Sequence, residues 1–108
     1  WASWCGACKD EHPLLMELSK QNIVPIVGLD YKDRRADGLA TLQQAGNPYT
    51  LTAMDVDGKV GFDYGVYGVP ETYVIDKKGM IAYKLIGAVS AQNLRETILP
   101  LVAELEKK

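Results

Sequence analysis

Trp4-Cys5-Gly6-Ala7-Cys8 carries both cysteines of the 108-residue chain, and Cys8 to Leu18 continues it with Lys9, Glu11, Leu14, Leu15, Met16 and Leu18. That continuation reads as a helix. Residues three apart in a helical turn have Cβ atoms about 5–6 Å apart. A disulfide needs about 3.5–4.5 Å, so a small adjustment opens and closes such a pair. A cysteine at a helix N-terminus also faces unpaired N–H groups and the positive end of the dipole. Both favour its thiolate, the nucleophile of disulfide exchange. On this reading Cys5, the more N-terminal and the more exposed, attacks a partner disulfide. Cys8, one turn in, resolves the mixed disulfide. Trp4 reads equally as a hydrophobic wall or a contact for a partner.

Three blander uses of the pair compete. A structural disulfide closing so short a loop removes little chain entropy and is a poor staple. Half a zinc site is conceivable, since His12 follows Cys8 by four, but the chain has no second cysteine pair. Both thiols could also be buried and inert. The spacing favours redox chemistry over all three.

The size suits one domain with a core of its own. With 47% hydrophobic and 24% charged residues the composition is globular. Lys and Arg number 12 against 14 acids, a net charge of −2, and the signs are mixed along the chain. No basic patch with interleaved aromatics appears, which disfavours nucleic acid as a partner. No apolar run reaches the ~20 residues that span a bilayer, and no signal peptide is visible. Two cysteines do not fix the redox compartment.

Trp1-Ala2-Ser3-Trp4 reads as the end of a strand entering the cysteine turn, and the natural protein is expected to continue upstream. Helix 1 is expected from Cys5 or Gly6 to Lys20, kinked at Pro13, whose missing N–H removes the bond to the Lys9 carbonyl. Glu11 lies three after Cys8, beside the pair or simply in solvent. His12 reads as a surface or capping residue. Ile23–Leu29 is a near-continuous apolar run that suits a strand buried on both faces, with Pro25 suggesting an edge. Asp33 is expected to cap a helix through Ala45, with Leu39 and Leu42 facing the core and Gly46 as its stop. Leu51 to Val60 is ambiguous. Asp55-Val56-Asp57-Gly58 hints at a calcium loop, but Lys59 occupies a ligand position and no bidentate Glu follows, so a turn is the better reading. Lys59 to Tyr64 reads as a short helix ended by Gly65. Thr72–Asp76 and Met80–Ile86 form a hairpin around Lys77-Lys78-Gly79. Ser90 caps a last helix, Ala91 to Glu106, kinked at Pro100, with Leu94, Ile98, Leu101, Val102 and Leu105 on one face.

This order of elements is that of an α/β thioredoxin-like fold. The stretch Trp1 to Pro13 resembles the active-site segment of the thiol:disulfide interchange proteins of cytochrome c maturation, the DsbE/CcmG type. So do Gly28-Leu29-Asp30-Tyr31-Lys32-Asp33, Gly46-Asn47-Pro48-Tyr49 and Gly65-Val66-Tyr67-Gly68-Val69-Pro70-Glu71-Thr72. The resemblance runs almost end to end. It implies a periplasmic reductant tethered to the inner membrane by a segment absent here. Its partners would be apocytochrome c, or a thiol protein of the haem-ligation pathway, and an upstream membrane thiol reductant. No cofactor and no metal is implied. By likeness, Cys5 is the nucleophile and Cys8 the resolving thiol. Pro70 is a cis-proline whose neighbour Val69 offers its backbone to a bound chain, and Glu11 and Glu71 are the acids that mark the site.

Negative charge near a thiol raises its pKa and makes the reduced form a better electron donor. Gly6-Ala7 stands where relatives more often have a proline, so a reduction potential does not transfer. The strand that precedes the active site in this fold is missing. It would lie between the Ile23–Leu29 and Thr72–Asp76 strands, so the chain is expected to be truncated, with that gap closed by re-paired strands or by another chain. Three further functions stay open: a generic protein-disulfide reductase, a module that binds apocytochrome c or a maturation partner without turnover, and, third, a metal-binding role.

Overall fold

Cys5 is the N-cap of the first helix, α1 (Gly6–Gln21). It sits in extended backbone, and its sulfur accepts the Cys8 N–H at 3.1 Å. The computed structural model describes all residues, 1–108. α1 runs without interruption through Pro13 and stops where Asn22 turns left-handed, its N–H donating to Ser19 O. After it come β1 (Val27–Tyr31), α2 (Arg35–Ala45), β2 (Leu51–Asp55) and α3 (Lys59–Asp63). The hairpin β3 (Glu71–Ile75) and β4 (Ile81–Ile86) follows. The last helix, here α4, has three consecutive segments: Ala91–Asn93, a π-helical Leu94–Ile98, and Leu99–Glu106.

The strands form two sheets of two. β1 and β2 are parallel, in register from Val27 with Leu51 to Tyr31 with Asp55. β3 and β4 are antiparallel, in register from Glu71 with Ile86, with an irregularity at Val74/Ile75. No strand lies between the two sheets. Only Trp1 flanks β1 on its other side, its ammonium donating to Leu29 O at 2.9 Å and its carbonyl accepting from Tyr31 N–H at 2.7 Å.

Several expectations need correction. The apolar run Ile23–Leu29 is not itself the strand. β1 starts at Val27, so Pro25 lies outside it and says nothing about an edge. Nor is β1 apolar on both faces, because Asp30 is buried within it. Leu51–Asp55, ambiguous in sequence, is a strand, and the turn that follows is real. Asp55 Oδ1 and Oδ2 accept the N–H groups of Val60 and Gly61 at 3.1 and 2.8 Å, which starts α3. Asp33 does not cap α2. Arg34 is the N-cap, with no side-chain bond. Leu39 is exposed, and Leu42 alone carries the core face of α2. Pro100 is accommodated by the π turn that precedes it, where Leu99 N–H reaches back to Leu94 O.

The apolar core sits under the hairpin. Val74, Val89, Ile98 and Val102 form it, with Tyr83, Leu85, Leu94, Leu101 and Leu105 packed around them. Ser90 caps α4 as expected, in a reciprocal capping box with Asn93.

Candidate functional site

A smaller cluster sits at the mouth of α1: Ala2, Cys5 and Cys8, with Trp1 and Val69 against them. The two cysteines are joined in a disulfide. The expectation that Cys5 is the more exposed fails: Cys5 is 5% and Cys8 6% exposed. What distinguishes Cys5 is its place at the helix N-terminus, with its sulfur already accepting a backbone N–H. No acidic side chain lies in the first turn of α1 to oppose that. Both effects stabilise negative charge on Cys5 once the disulfide opens.

Val69 packs on the cysteine cluster, and buried Pro70 follows it through a cis peptide bond. The structure therefore brings Val69 to the cysteine cluster from a distant part of the chain, with Pro70 next to it. Trp4 is 58% exposed, and its indole N–H donates to Lys32 O at 3.0 Å. It is a wall pinned at one edge, with a ring face open.

Sequence reading missed what holds the turn. Buried Asp33, on the loop after β1, accepts Ser3 N–H at 2.8 Å on Oδ2 and Ser3 Oγ at 2.7 Å on Oδ1. With the Trp4–Lys32 bond, that loop grips the residues just before Cys5. Burial works against ionisation of Asp33, but hydrogen bonds from Asp30, Ser3 and Arg34 outweigh it and hold its carboxyl below the usual value. Asp30 is 0% exposed and neither oxygen finds a donor. Burial and the adjoining Asp33 carboxylate push its carboxyl up to about 7. Only a proton on Asp30 gives these two acids a hydrogen bond. Gly38 of α2 is the complement of this pair, since a Cβ there would collide with Asp30 Oδ2.

Glu11 is buried, so the solvated alternative is excluded. Its Oε1 accepts Val89 N–H at 3.0 Å, tying α1 to the start of α4. Burial raises its carboxyl, offset by that hydrogen bond, the Trp1 ammonium and His12. His12 is not a surface residue. It is buried, with Nε2 on Gly46 O at 2.8 Å and its ring edge-on to Tyr49. An aromatic three residues past the Gly46 stop was the one available signal. The Glu71 side chain is only 2% exposed. Its Oε1 lies 2.8 Å from Tyr73 OH, which donates, and 3.3 Å from Lys84 Nζ, while its Oε2 is buried without a partner. Burial lowers the Trp1 ammonium, while the charges of Glu11, Asp30, Asp33 and Glu71 raise it.

Fold and site together define a thioredoxin-like chain with a Cys-x-x-Cys pair at a helix N-terminus. Residues 1–84 match the AhpC/TSA family, and the chain belongs to it. It is similar to the thiol:disulfide interchange protein DsbE of Allochromatium vinosum, 44% identical over 98% of this chain and 59% of that protein. The DsbE of Pseudomonas aeruginosa is 46% identical over 97% of this chain and 58% of its own length. The chain thus spans under two thirds of these relatives. Among solved structures, DsbF of MTB superposes with a TM-score of 0.80 at 25% identity, over 94% of this chain and 75% of that one. A thio-disulfide isomerase from Thermus thermophilus superposes at 0.72 and 27%, over 94% and 74%.

Proposed function

We propose that the protein is a thiol-disulfide oxidoreductase working in the reducing direction, as a periplasmic reductant in cytochrome c biogenesis. The observation that carries the chemistry is the Cys5 sulfur, which takes the Cys8 N–H at the start of α1 while Val69 packs against the pair. The similarity to DsbE proteins supports thiol:disulfide interchange as the reaction class.

The Cys5 thiolate attacks one sulfur of a partner disulfide. A mixed disulfide forms and the partner's other sulfur leaves as a thiolate. The Cys8 thiolate then attacks Cys5, which releases the second partner thiol and closes Cys5–Cys8. The partner leaves with two electrons and the chain retains the disulfide seen here. An upstream thiol reductant, which we place at the inner membrane, would reopen it. The incoming strand would lie along Val69–Pro70, with Trp4 at its flank. Glu11 and Glu71 would raise the thiol pKa and bias the pair towards donating electrons.

Cys8→Ser tests this directly. The variant should accumulate a disulfide with an apocytochrome c or a haem-ligation thiol protein through Cys5, and mass spectrometry would name it. Faster turnover on a Cys-x-x-Cys-His peptide than on insulin is expected. Equal rates would reduce the reading to a generic reductase, and full pathway activity of Cys5→Ser would leave only a binding role.

A further inference from the structure

Lys84 stands in the middle of β4, far in sequence from the cysteines. Its Nζ lies 3.3 Å from Glu71 Oε1 and donates to Gly65 O at 3.1 Å. It also sits over two aromatic rings, 5.6 Å from the Tyr67 centroid and 5.5 Å from that of Tyr73. Tyr73 adds to the grip. Its hydroxyl reaches Tyr64 O at 3.2 Å and its ring meets Tyr64 edge-on. The tied segment, Tyr64 to Tyr67, leads through Gly68 into Val69, which packs on the cysteine cluster, and Pro70. Tyr67 is 76% exposed. Lys84 attracts that ring, since a cation over an aromatic face does so even at an exposed site.

The second half of the argument is charge. Glu71 adjoins Pro70 and its side chain is almost fully buried, so its negative charge is poorly screened by water. Lys84 is the cation placed against it. Any influence of Glu71 on a thiolate at the site is therefore the influence of Glu71 less that of Lys84. We propose that Lys84 is a positioning residue of the active site: it clamps the Tyr64–Tyr67 segment to the hairpin and offsets the buried Glu71 charge beside the proline turn. The proposal deepens the functional reading above and rests on Cys5 being the reactive thiol.

The test is the pH profile of Cys5 alkylation in the reduced protein, located by mass spectrometry. In the wild type a titrating, fast-alkylating Cys5 establishes the reactive thiol independently of Lys84. Lys84→Met should then raise the Cys5 pKa, by roughly half a pH unit, because an uncompensated carboxylate remains nearby. Lys84→Arg keeps the charge and should retain the wild-type profile. The double variant Glu71→Gln with Lys84→Met removes both charges of the pair and should return the Cys5 pKa close to that of the wild type. A K84M profile equal to wild type, or a double variant that keeps the full K84M rise, would overturn the proposal. If K84M does not fold, the double variant against Glu71→Gln decides the matter: a higher Cys5 pKa in the double variant supports the proposal, and no difference refutes it.

Discussion

The two sheets are built by opposite means. Around β3 and β4 the interior is aliphatic, with Val74, Val89, Ile98 and Val102 in mutual contact. Around β1 and β2 the buried side chains include three aspartates, Asp30, Asp33 and Asp55. Asp33 brackets the cysteine turn and Asp55 starts α3, each by accepting backbone N–H groups. One half is held by burial of apolar area, which is non-directional. The other is held by hydrogen bonds whose geometry fixes where a loop goes. The cysteines belong to the polar half and Val69 comes from the apolar half. Precision of the turn is thus supplied by one side, and the surface presented to it by the other.

The sharpest way to break this division is at the sulfur. Cys5→Ser should lower disulfide-exchange activity by about 10³-fold or more while the fold persists. Exchange surviving at near wild-type rate would move the chemistry elsewhere. In the apolar half, Ile98→Ala should cost about 2–5 kcal/mol in urea unfolding, through lost contacts and a cavity. It should leave the Cys5 alkylation profile in place. In the polar half, Asp33→Ala should cost about 1–3 kcal/mol and also disturb Cys5 reactivity, which I98A should not. An equal effect of both variants on Cys5 would erase the distinction.

Asp30 sharpens the contrast further. Its folded-state pKa is raised to about 7 from 3.8, so folding takes up a proton there. Its stabilising effect is full below about pH 4, declines as pH rises, and is gone above about 7. Asp30→Asn should flatten that decline, and its amide can donate to Asp33 without a titrating proton. Unfolding free energies that stay parallel to wild type across this range would show that Asp30 does not titrate there. The smallest expected effect is at the tuning acids. Glu71→Gln and Glu11→Gln should each lower the Cys5 pKa, by less than roughly one unit. Unchanged titration in both would remove the carboxylates from the mechanism.

The apolar half was the more legible in sequence. The turn Lys77-Lys78-Gly79, the Ser90 cap and the repeating stripe from Leu94 to Leu105 each state a local rule that the fold obeys. The cysteine pair and Val69-Pro70 were legible for the same reason, since spacing and proline are local signals. The polar half was not. Leu51–Asp55 has polar Thr52 and an acid at its end, so it lacks the pattern of a buried strand. Asp33 looked like a helix cap because a cap and a long-range bracket use the same carboxylate, and only the fold shows that Ser3 is the partner. Asp30 and His12 were hidden because their burial depends on what packs over them, Gly38 and Tyr49, far away in the chain.

The N-cap role of Cys5 has one further consequence. The sulfur proposed to exchange electrons also closes the first helical turn, and it does so while bonded to its neighbour. Serine is a favoured N-cap residue, so Cys5→Ser is expected to remove the exchange chemistry while leaving the helix start standing. Alanine would fray the helix as well.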